Sequence, residues 1–239
     1  MDVFAEFDTA VRAFWSGRDL QTQAQIQSGR VDAGTRGSVT GGKHLDPIAD
    51  VIAELFAPIM DMGGEVSLGS PTLPGHYRPS KNWDVVVTHR GVLVAAVECK
   101  SQSGSFSNNF NNRVEEAIGN AADIWTLTDR GRFGQVQPWL GFIFILEHSF
   151  QSTRLTRDPA PLFAHDIEFE QTSYLDRYRI LGHRLMADGL YDAVSVIATE
   201  RGRGIYSQPD PHTSVEAFAE AIRLRIQYID HLDVSGALP

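Results

Sequence analysis

Trp83-Asp84-Val85-Val86-Val87-Thr88-His89-Arg90-Gly91-Val92-Leu93-Val94-Ala95-Ala96-Val97-Glu98-Cys99-Lys100 is the stretch on which the fold turns. Two runs rich in β-branched residues, Trp83 to Thr88 and Val92 to Lys100, flank His89-Arg90-Gly91. Gly91 is able to take positive φ there, so the segment reads as a β-hairpin. The second run is apolar at every position from Val92 to Val97. A strand with one wet face would alternate, so this one predicts a central strand covered by helices on both sides.

Working outward, Val3 to Gln27 reads as a helix, with Val3, Phe7, Val11, Phe14 and Trp15 at helical spacing. Ser28 to Gly42, which carries Arg30 and Arg36, reads as a loop. A helix is predicted over about Asp46 to Met60, its apolar face running from Ile48 to Ile59 with Asp46, Asp50 and Glu54 opposite. Gly63-Gly64 ends it, Glu65 to Leu68 suits a short strand, and Pro71, Pro74 and Pro79 make Ser70 to Ser80 irregular. Beyond the hairpin come a polar loop, Ser101 to Asn109, and a helix from roughly Phe110 to Leu127 with Val114, Ile118, Ala121, Ala122 and Trp125 inward. A buried strand (Trp139 to Glu147), a helix (Ser173 to Asp188) and a strand (Asp192 to Thr199) follow. The Arg201–Gly204 loop then leads to a last helix, Val215 to Leu232, with Ser214 as its cap. The order predicts an α/β fold, a mixed central β-sheet flanked by helices. No repeat or linker divides the chain, so one domain is expected over 1–239. It comprises an N-terminal helical elaboration (1–40), a core (41–200) and a C-terminal loop and helix (201–239).

Composition narrows the function. No apolar run approaches the length of a membrane helix, the N-terminus is acidic, and Cys99 is the one cysteine. A cytoplasmic protein with no membrane partner is expected. The net charge of −9 argues against loose binding of polyanions, although a specific basic site is compatible with it. Of the 21 basic residues only Lys43, Lys81 and Lys100 are lysines; arginine suits bidentate contacts to phosphate or guanine.

The charges on the hairpin are the chemical signal. Glu98 and Lys100 share one face of their strand and Cys99 points the other way. Antiparallel pairing brings Asp84, at the start of the partner strand, beside them. Two carboxylates gathered next to a core cost energy unless a cation lies between them, and Mg²⁺ suits such a pair. That chemistry is metal-assisted phosphodiester hydrolysis, with Lys100 orienting or deprotonating the attacking water. A structural ion pair at a solvated strand end is the competing reading of the same spacing.

Further residues decide between them. Asn82-Trp83-Asp84, Glu98-Cys99-Lys100-Ser101-Gln102, Ser107 to Arg113 and Glu115-Glu116-Ala117 resemble the XhoI-like family of type II restriction endonucleases, as does Thr40 to His44. The resemblance is strongest from about Thr40 to Trp125. It implies a single nuclease domain with a PD-(D/E)xK core and Mg²⁺-dependent cleavage of double-stranded DNA. The site implied is the palindrome CTCGAG, cut after the first C to leave 5′ overhangs. It also implies Asp84 and Glu98 as metal ligands with the Cys99 backbone carbonyl, and Lys100 as the water-activating residue. The chain departs from the wider superfamily in having Trp83 where a proline usually precedes the first Asp, and Cys99 where a bulkier apolar residue is usual.

The remaining candidates are weaker. Gly37 to Lys43 nearly matches a P-loop, but His44 stands where a Ser or Thr would bind Mg²⁺. Lys43 and His44 instead suit DNA phosphates, or a solvated turn. Glu54 and Glu115 are candidates for a supporting acid at the site, with helix-surface charge as the alternative. Gln102, Asn108, Asn109, Asn111, Asn112 and Arg113 suit base edges, though one or two of the Asn belong to turns and caps. Arg201 and Arg203, like Arg130 and Arg132, lie on basic loops at element ends. A restriction enzyme of this kind is expected to act as a C2 homodimer, because a palindrome offers two identical half-sites, and to work beside a cognate DNA methyltransferase. A structure-selective DNA repair or junction nuclease, and a DNA-binding module without turnover, are the alternatives.

Overall fold

A computed structural model describes residues 2–27, 42–157 and 162–238. Helix α1 (Val3–Gln27) precedes a 3-10 turn (Gly42–Leu45), α2 (Asp46–Leu55) and the single turn α3 (Pro58–Asp61). The short strands β1 (Glu65–Ser67), β2 (Thr72–Pro74) and β3 (Ser80–Asn82) lead into the hairpin, β4 (Val85–His89) and β5 (Val92–Gln102). Then come α4 (Phe106–Asp129), β6 (Trp139–Glu147), the turn α5 (Phe150–Thr153), α6 (Tyr174–Ala187), β7 (Ala193–Glu200), β8 (Gly204–Ser207) and α7 (Val215–Val234). The predicted loop of Ser28 to Gly42, with Arg30 and Arg36, lies outside the described residues up to position 41.

Six strands form one mixed sheet in the order β1-β4-β5-β6-β7-β8. The β5, β6 and β7 strands are parallel; the other pairings are antiparallel. The expected α/β architecture is therefore present. The β4–β5 turn works as predicted, with Arg90 at φ 46° and Gly91 at φ 75°. Two successive positive φ values give the primed turn whose twist matches that of the strands. Both faces of β5 are dry. One packs with α1, α2 and α7 through Phe7, Phe14, Ile48, Ile52, Phe218 and Ile222. The other packs with α4 and α6 through Phe110, Ala117, Ala121, Ile124, Tyr178 and Leu181. At about 25 cal/mol per Å² removed from water, burial on two faces stabilises β5, the strand that carries Glu98 and Lys100.

Several boundaries differ from the sequence reading. The helix expected over Asp46 to Met60 breaks after Leu55, because Pro58 has no N–H to continue the ladder. The stretch expected to be irregular, Ser70 to Ser80, carries β2, which pairs with β3 as a small separate hairpin. Helix α4 starts at Phe106, four residues before the predicted Phe110, so Asn108 and Asn109 belong to its first turns. Its inner face is also rotated: Ile118 is exposed, while Ala117, Asn120, Asp123 and Ile124 are buried. The polar Asn120 and Asp123 break the apolar pattern from which that face was predicted. Strand β8, an edge strand, follows the Arg201 loop where none was predicted.

Candidate active site

The β4–β5 register places Val85 opposite Val97, and the Asp84 N–H donates to the Val97 carbonyl at 3.2 Å. Asp84 is thereby held beside Glu98. Its Oδ2 accepts the backbone N–H of Cys99 at 2.7 Å. Glu98 is 3% exposed and points, with Lys100, to the α4 side of the sheet, while Cys99 packs into the opposite core. The strand alternation read from the sequence thus brings Asp84, Glu98 and Lys100 together. Lys100 Nζ donates to Glu98 Oε1.

Lys81 was not among the residues singled out from the sequence, and it occupies the other oxygen. Its Nζ donates to Glu98 Oε2 at 2.5 Å and to the Asn82 carbonyl at 2.8 Å. It lies 4.3 Å from the centroid of the Trp83 ring, so the residue standing in place of the usual proline forms a cation–π seat for it. The β2–β3 hairpin that carries Lys81 is tied down by α4. Asp123 accepts the N–H groups of His76 and Tyr77 at 2.8 Å each, and Arg78 Nε at 2.5 Å. Arg78 also donates to Asn120 Oδ1 at 2.9 Å. The scarcity of lysine was the available signal: two of the chain's three lysines meet on one glutamate.

The electrostatics follow from this crowding. Burial, and then the charge of Glu98, push the Asp84 carboxyl up to about 6, against the pull of the Cys99 N–H. For Lys100 burial works the other way, but attraction to Glu98 outweighs it and the ammonium titrates above its ordinary value. For Lys81 burial prevails and lowers it. Burial also raises the Cys99 thiol well above its usual value, which leaves it an inert packing group.

The oxygen set suits a divalent cation. Burial, and then the charge of Glu98, disfavour the ionised Asp84, and a cation seated beside it would offset both. Among the described residues no three His, Cys, Asp or Glu converge as a metal cluster. Mg²⁺ accepts so small a set, one or two protein carboxylates with water or phosphate oxygens completing its octahedron, whereas structural zinc prefers Cys and His. The donors present are hard oxygens and fit Mg²⁺.

Against this geometry stand the comparisons with known proteins. The family described as "Restriction endonuclease XhoI" matches residues 24–208. The chain belongs to the XhoI restriction endonuclease family. Among similar proteins, the type II restriction enzyme BstVI of Geobacillus stearothermophilus is 38% identical over 194 residues, 77% of this chain and 87% of that one. The type II restriction enzyme XhoI of Xanthomonas vasicola is 40% identical over 194 residues, 77% of each chain. The type II restriction enzyme AbrI of Azospirillum brasilense is 39% identical over 158 residues, 64% of this chain and 71% of that one. A member of the XhoI family is a site-specific deoxyribonuclease of a restriction–modification system. Membership sets aside the repair nuclease and the DNA-binding module without turnover.

The other predicted residues are dispersed around this XhoI-family core. Glu54 is exposed on α2, which covers the sheet face opposite Glu98. Glu115 is exposed on α4, and its neighbour Glu116 is half-buried at the rim of the helix. Glu116 pairs with Arg113 at 2.5 Å, and its negative charge adds a little to the forces that favour the charged form of Lys100. The rotation of α4 explains the exchange. His44 is buried against Phe14 and shares a 3.3 Å hydrogen bond with Ser101, so it supports the end of β5 from within; Lys43 shares its 3-10 turn. Gln102 is buried and donates to the Gly104 carbonyl. Asn108, Asn111 and Asn112 are exposed on the first turns of α4 and Asn109 is half-buried. Arg201 is held by Asp19 at 2.9 Å over the Trp15 ring, and Arg203 by Glu200 at 3.1 Å. Arg130 and Arg132 follow the C-terminal end of α4, about 36 Å along the helix from its start at 1.5 Å per residue. No described helix is long and apolar enough to cross a membrane.

Proposed function

We propose that this protein is a Mg²⁺-dependent homodimeric endonuclease acting in the cytoplasm on double-stranded DNA. By the family resemblance its site is the palindrome CTCGAG, cut after the first C to give 5′ overhangs, with a cognate DNA methyltransferase protecting host sites. The observation that carries the catalytic reading is the meeting of Asp84, Glu98 and Lys100 at the end of a strand buried on both faces.

Asp84, Glu98 and the Cys99 backbone carbonyl are the groups that would hold the cation. A bound divalent ion supplies polarisation of the scissile phosphate and a lowered pKa for water. Lys100 positions the attacking water and neutralises a phosphate oxygen. Its raised pKa favours this orienting role over that of a base, because only the neutral amine takes a proton. Lys81 gives the buried Glu98 a second partner, on Oε2, while Lys100 takes Oε1.

Digestion of a plasmid of known sequence in Mg²⁺, with an EDTA control and mapped ends, tests the whole reading. Discrete ends within CTCGAG are the expected result. Discrete ends elsewhere overturn the assigned site and retain the mechanism; absence of cleavage with every divalent metal overturns the mechanism.

A further inference from the structure

A cleft of about 800 Å³ opens where β5 gives way to α4. Ser105 and Ser107 line it from the start of α4, Tyr174 from α6, and Arg154, Thr156 and Arg157 from the chain after α5. Among the described residues no carboxylate lines it. That is unusual for a chain of net charge −9 whose exposed arginines mostly rest on acids, as Arg184 does on Asp166 and Glu168, and Arg223 on Glu220. Neither Arg154 nor Arg157 has a carboxylate partner among the described residues; Arg154 only lies 5.8 Å from the Phe150 ring.

The walls are built rather than loose. Thr156 donates its N–H to the Thr172 carbonyl at 2.8 Å and its hydroxyl to the same oxygen at 2.9 Å. Arg177 Nη2 donates to Thr156 Oγ1 at 2.5 Å, which fixes the backbone between the two cleft arginines. On the other side Phe106 stacks on Tyr174, ring centroids 5.7 Å apart. A concavity with two guanidinium groups and, among the described residues, no carboxylate concentrates positive potential and attracts a polyanion. Its position is also restricted. Ser105 is five residues past Lys100, so at most about 17 Å of chain separates them, about five base steps of B-DNA at 3.4 Å each.

We infer that this cleft takes backbone phosphates of the DNA within a few nucleotides of the cut, with Arg154 and Arg157 as the charged donors and the Ser105 and Ser107 hydroxyls as neutral ones. The inference rests on the nuclease reading. It makes the two arginines phosphate-positioning residues, which fix the register of the duplex without reading its sequence.

The test is the salt dependence of duplex binding, measured by fluorescence anisotropy without divalent metal for the wild type, R154A, R157A and the remote control R223A. R154A and R157A are expected to weaken binding of a CTCGAG duplex and an unrelated duplex alike. Each is expected to reduce the slope of log K against log salt by about 1, with R223A unchanged. An unchanged slope in both variants overturns the inference. So does a loss confined to the CTCGAG duplex, which would make the arginines base readers. Plasmid cleavage by the wild type separates the failures: cleavage with unchanged slopes overturns the cleft alone, whereas a wild type that neither binds nor cuts DNA overturns the functional reading and the cleft with it.

Discussion

Glu98 is shared by two ammonium groups, while burial and then the charge of Glu98 disfavour the ionised form of Asp84, so a charged Asp84 costs the metal-free protein stability. The sign follows from the two states of Asp84. Unfolded, its carboxyl ionises near 3.9; folded, near about 6. Stability without metal therefore falls as pH rises from about 4 to about 6 and is level above that. Asp84→Asn removes the charge and keeps an oxygen for the Cys99 N–H. It is expected to raise the melting temperature of the metal-free protein at pH 7 by a few degrees, about 1 kcal/mol, and to abolish both cleavage and stabilisation by Mg²⁺. Differential scanning calorimetry with and without Mg²⁺ reads both effects, and a destabilised D84N would show that the repulsion is not felt. Lys81 gives a second prediction. Lys81→Met leaves Glu98 with Lys100 alone, so Glu98 swings and cleavage falls about 10²-fold in kcat, the cost of roughly 1 Å of misplacement. Lys81→Arg restores a charge on the Trp83 ring and should recover part of it. A fall in kcat that Arg rescues, with KM little changed, separates positioning from a general loss of folding.

Between elements, the decisive contact is the one that anchors the β2–β3 hairpin to α4. Burial alone would raise the Asp123 carboxyl, but the N–H groups of Tyr77 and His76 and the Arg78 guanidinium together hold it below its ordinary value. A depressed carboxylate stabilises fully above its unfolded pKa, near 4, and loses that contribution as pH falls through the lower folded value. Asp123→Ala leaves two backbone donors and a guanidinium without their acceptor, at a cost of about 2–4 kcal/mol. It should also reduce cleavage, because Lys81 rides on the same hairpin. Urea titration at pH 7 and pH 3 checks this: the gap between wild type and variant should narrow at the lower pH, and an equal gap at both would contradict it. This contact also shows what a sequence can and cannot disclose. The β4–β5 hairpin and its three charged residues were legible, because strand alternation and a glycine turn are local rules. So were the ends of α6 and α7, where Ser173 and Ser214 cap the helices. Lys81 was not legible, since its place depends on Asp123, more than 40 residues away, and on a hairpin hidden among prolines. Glu115, put forward from the apolar pattern of α4, proves exposed for the same reason: buried Asn120 and Asp123 serve a distant loop, so they turned the helix away from that pattern.

At the scale of the molecule, the proposed catalytic groups meet at one strand end inside the sheet, whereas a duplex has two strands to cut. The structure places Asp84, Glu98 and Lys100 once per chain. A palindrome presents two equivalent scissile phosphates related by a two-fold axis, and two copies of this chain related by the same symmetry meet both at once. Each subunit would then cut one strand. Mixing wild type with Asp84→Asn in excess, after exchange of subunits, tests this directly on supercoiled plasmid carrying one site. Most active species would be mixed dimers with a single competent site, so nicked circles should accumulate, and linear product should fall roughly with the square of the wild-type fraction. If single chains cut both strands in turn, the inactive variant would only compete for DNA, and the ratio of linear to nicked product would follow that of dilute wild type. Sedimentation equilibrium on the same mixtures identifies the species present, so the product ratio is read against a known dimer population.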